Sequence, residues 1–563
     1  MGEGRTGQTT FSKLKLSMAR MPFRKGAPSG PVTVCHDPWH GDAEQGARLV
    51  ARYFRFDRKD YDLTYGRTPL TAWPVGTWPE AARHWLYGFS WLRDLRALGS
   101  DEARLMARKM VGVWVANPPG GEVAEDACTT GMRLASWLSN HAFCLASADH
   151  KLQKKLMDRV LVEARTISAL LPLKFCGWAE LSALRGLLAA ALAIPEQTGF
   201  MVRFLRYLPS ALERILLPDG MVAERSPQAQ YELVRELAEI SMMFRAAQLR
   251  VPPLVETSLE KAVPVLRALC HGDGGLAVFN GSGEGDVRSV ERVLAQGSRL
   301  KLIASNLTDG KFTRVALGKS LLIVDGGGPP VSGADQTAHA GTCSFEFSHL
   351  KDRIFVNCGS ALLAPWADAL RASAAHNVLI PEDLSSSDFD RRGRVTRRPV
   401  HISCHHQTNG EGHWIDLSHD GYHPSLGATW KRHLYLGDNG EDLRGQDVLH
   451  SERAVSFVLR FHLHPNVIVT QDDDDVIMHV GEKIWRFRQR GGGLAVEPDV
   501  YLARDHVEPT RQIVVYVDPK YTGAASDAEA AEEGVRQDDA AKLSAAPPGV
   551  TQTVSWLLER IPE

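Results

Sequence analysis

His339 lies in the turn-like stretch Ala338-His339-Ala340-Gly341, the segment in which this sequence comes nearest to a chemical site. After it, Ser344-Phe345-Glu346-Phe347 alternates apolar and polar side chains, as a half-buried strand does. Ile354-Phe355-Val356-Asn357-Cys358-Gly359 reads as another strand running into a turn, and Arg371 through His376-Asn377 as a polar lead into an apolar strand. Three such strands would bring His339, Asn357 and His376 to neighbouring strand ends. The alternative for both histidines is a loop cap held by hydrogen bonds.

Two further polar groups stand at predicted helix starts. Arg133 lies in Thr129-Thr130-Gly131-Met132-Arg133. Glu224-Arg225-Ser226-Pro227-Gln228 follows the turn Pro218-Asp219-Gly220. Ser226 before Pro227 has the pattern of an N-cap followed by a first-turn proline. Arg225 and Glu224 then either face a ligand or pair at the helix entrance. Tryptophans crowd the same half of the chain, Trp178 among them; they serve as sugar-stacking platforms or as core.

The elements that must position these groups fall into two blocks. The 563 residues suit two or three domains. Residues 1–30, basic and without a long apolar run, read as a flexible tail. Residues 31–272 carry amphipathic helices predicted at 78–98, 101–117, 127–147, 151–171, 178–193, 198–216, 227–249 and 257–269. Short Pro, Gly and Asp breaks between them imply antiparallel helical hairpins in a curved, toroid-like stack. From residue 273 the pattern changes to short strands with Gly, Asn and Asp turns, which implies an antiparallel β-sandwich to residue 563. An Ala-, Asp- and Glu-rich stretch, 523–548, reads as a mobile loop. The fold class is therefore multidomain α+β.

A formal charge of −2 gives no reason to expect a nucleic-acid partner, and no window is apolar enough for a membrane span. Eight scattered cysteines without a CxxC pair argue against a zinc ribbon or a disulfide framework. P-loop, GxSxG and HExxH patterns are absent. Lacking a visible signal peptide, the chain is expected in the cytoplasm.

Several stretches together resemble the heparinase II/III family of polysaccharide lyases. They are Trp91-Leu-Arg-Asp-Leu95, Arg133-Leu-Ala-Ser-Trp137, Pro218-Asp-Gly220 with Glu224-Arg225-Ser226-Pro227, and His339 with Ser344-Phe345-Glu346. Val356-Asn357-Cys358-Gly359, Arg371 through Asn377, and Arg460-Phe461-His462-Leu463-His464-Pro465 complete the set. The resemblance implies an incomplete α/α toroid followed by an antiparallel β-sandwich. It also implies β-elimination on a uronate-containing polysaccharide in the cleft between them, and it makes a periplasmic location an alternative. A base takes the C5 proton while a neutralised carboxylate makes that proton acidic.

On that resemblance His339, Tyr422 and Arg225 are the catalytic candidates, and Arg133, Glu224, Trp178, Gln228 and Arg371 the substrate-binding ones. A structural zinc on His339, His376 and Asn357 is implied by some members of the family; no other cofactor is expected. The chain departs from the family where Gly177-Trp178-Ala179-Glu180 stands in place of a Gly-Asn-His motif and Ala229 in place of a tyrosine. Tyr231 is about 200° further around the helix. These departures support a second reading, a catalytically silent carbohydrate-binding or envelope-maintenance protein. A third is hydrolysis by Glu180 and Glu224.

Overall fold

The computed structural model describes residues 27–63, 73, 77–145, 147–305, 307–519 and 549–562. The predicted tail up to residue 26 and the predicted loop 523–548 lie outside the described residues. The fold is the expected one, the helices of an incomplete α/α toroid and then an antiparallel β-sandwich. Two compact units share the chain. One takes residues to Ala223, Tyr231–Val263 and Glu291–Lys301; the other takes Glu224–Gln230, Pro264–Val290 and Leu302 onward.

The helical unit is built on α1 (Asp101–Ala116), α2 (Ala127–Ser139), α3 (His150–Leu170), α4 (Ala179–Ala193) and α5 (Gly199–Ile215). Nearly every residue of α4 is buried, so its sequence AELSALRGLLAAALA shows no polar face and forms the centre of the unit. Gly131 and Gly186 set its approach to α2: a Cβ on Gly186 would lie 2.3 Å from the Gly131 Cα. Charge inside this core is paired. Arg185 on α4 reaches Glu236 at 2.6 Å and Glu239 at 2.5 Å. The predicted helix 78–98 is broken between Glu80–Gly88 and Leu92–Leu98, where Phe89 takes a left-handed φ of 58°. Among the described residues no helix is long and apolar enough to cross a membrane.

In the second unit a four-stranded sheet runs β1 (Phe312–Leu317), β2 (Ser320–Asp325), β3 (Phe345–His349), β4 (Asp352–Phe355). β5 (Leu379–Pro381) is the edge of another sheet. Then come β6 (Ile402–Asn409), β7 (Gly412–Tyr422), β8 (Ala428–Gly437), β9 (Asp442–Ser451) and β10 (Phe457–His462). β11 (Ile468–Asp472), β12 (Asp475–Val480), β13 (Lys483–Arg490), β14 (Gly493–Tyr501), β15 (Glu508–Val517) and β16 (Val550–Ile561) complete the unit. An eight-stranded sheet has the order β6-β7-β8-β9-β16-β13-β12-β11, and a second four-stranded sheet the order β14-β15-β10-β5. Phe345, Phe461, Phe487 and Trp556 meet in the core, with Phe345 stacked on Trp556 at 5.7 Å.

β3 differs from its prediction. It is buried on both faces rather than half-buried, because it lies inside its sheet and beneath the sandwich core. Within the region that the sequence reads as short strands, residues 299–305 are irregular and Val287–Gly297 is a helix.

His419 is one of the buried histidines of the sandwich whose protonation opposes the folded state. His419 on β7 is wholly buried between Tyr422 and Trp430, and its Nδ1 accepts the Gly421 N–H at 3.0 Å. Burial pushes its pKa down to about 3. An unfolded chain binds that proton near pH ~6.5. Between these values the unfolded state holds more protons, so the contribution is full above pH ~6.5 and is lost as pH falls toward 3. His419→Asn, which keeps an acceptor but does not titrate, is expected to flatten the pH dependence below 6 of the unfolding free energy measured in urea by up to about 1.4 kcal/mol per pH unit. An unchanged slope would count against it.

Candidate functional site

The loop before β3 brings His339 onto a network whose every member belongs to the sandwich unit. The His339 backbone N–H donates to Asn280 Oδ1 at 3.2 Å. Asn280 Nδ2 in turn donates to the Arg225 carbonyl at 3.0 Å. The loop is tied a second time, by Ala340 N–H to the Arg371 carbonyl at 2.8 Å and by the Ser373 hydroxyl to the Ala340 carbonyl at 2.8 Å. This holds the imidazole edge-on to His376, with ring centroids 5.2 Å apart.

His376 is oriented from behind. Its Nδ1 lies 3.0 Å from Asn357 Oδ1, while Asn357 N and Nδ2 donate to Glu346 Oε1 at 2.9 and 3.2 Å. Since the Asn357 amide nitrogen is committed to a carboxylate, its oxygen faces His376, and His376 carries its proton on Nδ1. Glu346 Oε2 accepts from Val278 N at 3.0 Å and His271 Nε2 at 2.9 Å, and His271 Nδ1 meets the Ser348 hydroxyl at 2.8 Å. Burial, and then the neighbouring His462, push His376 down to about 3. Burial, followed by His376 and Arg371, holds His339 well below the usual imidazole value. Both rings are neutral at pH 7. His339 is 5% exposed, and its Nδ1 is buried with no hydrogen-bond partner among the described residues.

The structure thus brings His339, His376, Asn357 and Arg371 together and gives most of the remaining candidates other work. Arg225 has a left-handed φ of 50°, donates Nε to the Gly310 carbonyl at 2.8 Å, pairs with Asp325 and the Gly328 carbonyl, and lies over Phe312. It is a buried structural arginine, not a catalytic one. Glu224 is buried beside it and Gln228 half-buried; the Gln228 N–H caps onto the Ser282 hydroxyl at 3.0 Å. Tyr422 is corrected as an acid or base: it is enclosed in the sandwich core, its hydroxyl donates to the Leu379 carbonyl at 2.5 Å, and burial raises its pKa.

Arg133, in the helical unit, is corrected as a substrate ligand. Its guanidinium is buried, with Nε donating to Glu163 at 2.7 Å and further bonds to the Tyr87 and Ala124 carbonyls. Trp178 is half-buried in that unit. Arg371 donates to the Gly393 carbonyl at 2.6 Å and to the Gln336 carbonyl, and so spans the His339 loop.

A zinc on His339, His376 and Asn357 does not fit this arrangement. The Asn357 oxygen and the His376 Nδ1 are spent on each other, which leaves two neutral imidazoles and no anionic ligand.

Sequence reasoning missed Asn280, Asp325 and His271, which lie far along the chain from the groups they position. It also missed a cavity of about 400 Å³ lined by Ser305, Thr308, Lys311, Phe312, Arg314 and His406. The Phe312 ring in its lining also lies against the Arg225 guanidinium.

Residues 301–545 match the family described as heparinase II/III-like, C-terminal. The chain is 25% identical over 536 residues to the FtsZ-localized protein C of Caulobacter vibrioides (strain NA1000 / CB15N), covering 89% of each protein. Among solved structures, heparinase III superposes with a TM-score of 0.68 at 12% identity over 98% of this chain and 89% of that one. The heparan sulfate lyase HepC of Pedobacter heparinus gives 0.53 at 13% identity, over 98% and 87%. The chondroitin AC lyase of Streptomyces coelicolor A3, in complex with chondroitin sulphate, gives 0.52 at 10% identity, over 100% and 80%. At these identities the likeness is one of fold.

Proposed function

We propose that this chain, a diverged member of the heparinase II/III family, recognises a uronate-containing acidic polysaccharide and holds it without cleaving it. The observation that carries this reading is a contrast within the sandwich unit. The proton-transfer and carboxylate-binding groups on which a lyase would rely, Tyr422 and Arg225, are buried in the fold, whereas Lys311, Arg314 and His406 line an open cavity of about 400 Å³. The Lys311 and Arg314 cations beside Ser305, Thr308 and the Phe312 ring suit a sugar that carries a carboxylate. A relative named for its localisation, FtsZ-localized protein C, is in keeping with a protein that works by holding position.

The test is retention on a panel of uronate polymers, together with ultraviolet absorbance for unsaturated product. Retention without absorbance change is expected, with affinity weakened about tenfold or more by the pair Lys311→Ala and Arg314→Ala, some 1.4 kcal/mol. If no uronate polymer is retained, the reading fails.

The His376–Asn357–Glu346 relay favours a second reading, elimination. A neutral His339 would take the C5 proton as the C4=C5 double bond forms and the C4–O bond breaks, and the departing oxygen would draw its proton from water or from the His339 imidazolium so formed, with Arg371 the nearby cation. An absorbance rise abolished by His339→Ala would establish this reading in place of the first.

A further inference from the structure

One residue beyond Asn357, at Cys358, three side chains from distant parts of the sequence converge. Cys358 Sγ lies 3.2 Å from His462 Nδ1 and 3.7 Å from Asp499 Oδ2, and His462 Nδ1 lies 2.7 Å from Asp499 Oδ2. Among the described residues this is the one set of three His, Cys, Asp or Glu side chains whose ligand atoms all lie within 4.8 Å of one another. We propose that Cys358, His462 and Asp499 form a binding site for a single thiophilic divalent cation of the zinc class.

The geometry is that of a ligand set closed in on itself. Zinc bonds of ~2.3 Å to sulfur and ~2.0–2.2 Å to nitrogen and oxygen, at tetrahedral angles, place ligand atoms about 3.4–3.6 Å apart. The sulfur–nitrogen and sulfur–oxygen separations already bracket that spacing, and the histidine–carboxylate pair needs to open by about 0.7 Å. One soft thiolate, one imidazole and one carboxylate is a donor set suited to zinc and poorly suited to magnesium or calcium. Two of the three ligands are anionic once the thiol proton leaves to solvent, so they neutralise the cation's charge. Three protein ligands leave the fourth position for water, and the Asp499 side chain, 10% exposed, is the one that reaches toward solvent.

The scaffold is stiff. Cys358 N–H donates to the Ala375 carbonyl at 3.1 Å, and its carbonyl accepts from Leu502 N–H at 2.7 Å. Gly359 follows with φ 100°, and a Cβ there would stand 2.4 Å from the Ala503 nitrogen, so the turn that presents the thiol requires glycine. His462 ends β10, its N–H bonded to Asn377 Oδ1 at 2.7 Å, and Asp499 sits on β14; the two strands flank β15. This site shares no ligand with the His339, His376 and Asn357 set rejected above and does not depend on the proposed sugar binding.

The experiment titrates Co²⁺ into full-length chelator-treated protein and then competes it with Zn²⁺. One equivalent of cobalt is expected to give a thiolate charge-transfer band and tetrahedral visible absorption, both displaced by zinc. Cys358→Ser is expected to abolish the band. Asp499→Asn is expected to weaken zinc binding by more than the ~10–100-fold that an outer-shell change costs. Cys404→Ser and His376→Gln should leave the band intact. Circular dichroism establishes that each variant is folded; should Cys358→Ser not fold, X-ray absorption of the wild-type zinc complex decides, with one sulfur in the shell expected. No band in folded wild-type protein, a band that survives Cys358→Ser, or a sulfur-free zinc shell would overturn the proposal.

Discussion

Replacing Asp447 by alanine is expected to destabilise the sandwich by about 3–5 kcal/mol, the cost of stranding a buried charge. Asp447 and Arg432 are both wholly inaccessible, on β9 and β8. The Asp447 Oδ1 accepts from Arg432 Nε at 2.8 Å and Trp430 Nε1 at 2.9 Å, and its Oδ2 from Trp556 Nε1 at 2.9 Å. Alanine leaves a guanidinium and two indole N–H groups in a core of Phe345, Trp430 and Trp556, where no water can take over. The damage reaches the His339 region, because Arg432 Nη1 also donates to the Cys343 carbonyl at 3.1 Å and the Asn377 carbonyl at 2.6 Å. These carbonyls bound the loop before β3 and the lead into β5. Urea unfolding measures the loss. Asp447→Asn, which keeps the acceptor oxygen but not the charge, should cost less than alanine. A loss below 1 kcal/mol for alanine would show that Arg432 carries its own compensation.

The same pair shows why β9 is hard to read from the sequence while β8 is not. β8, ATWKRHLYLG, alternates apolar and polar, and the period of two is plain. β9, DLRGQDVLHS, has the same alternation of burial, but two of its inward positions are Gly445 and Asp447. The inward position at 445 requires glycine, because a Cβ there would stand 2.1 Å from the Trp556 ring, and the one at 447 holds the carboxylate that pairs with Arg432. A hydrophobic pattern cannot report a strand that buries a glycine and a charge. The opposite error affected Arg133 and Arg225. Both read as candidate ligand-binding groups because no local pattern names their partners. Their carboxylate partners, Glu163 and Asp325, stand 30 and 100 residues away. The helical hairpins and the junction of His376 with Asn357 were legible because each rests on a local period or a strand end. The Cys358, His462 and Asp499 cluster was not, because its members are separated by 104 and 37 residues with no repeated spacing.

Glu346→Gln is expected to be nearly as costly as the loss of Asp447, although it removes no atom from the carbon skeleton. Glu346 is fully buried, and both its oxygens only accept: Oε1 from the Asn357 N–H and Nδ2, Oε2 from the Val278 N–H and the His271 ring. A glutamine must present its NH₂ to one pair or the other, so whichever way the amide turns, donors face donors. Two charge-assisted bonds are lost and two buried donors stranded, which amounts to about 3 kcal/mol or more. Turned toward Asn357, the glutamine frees that amide to rotate, and the oxygen that fixes the His376 proton on Nδ1 is no longer imposed. The variant should therefore lower the melting temperature by several degrees. It should also change the His376 ring signals in a two-bond proton–nitrogen spectrum from a single Nδ1–H tautomer to a mixture. Wild-type stability together with an unchanged His376 tautomer would mean that the relay from Glu346 through Asn357 does not orient the ring beside His339.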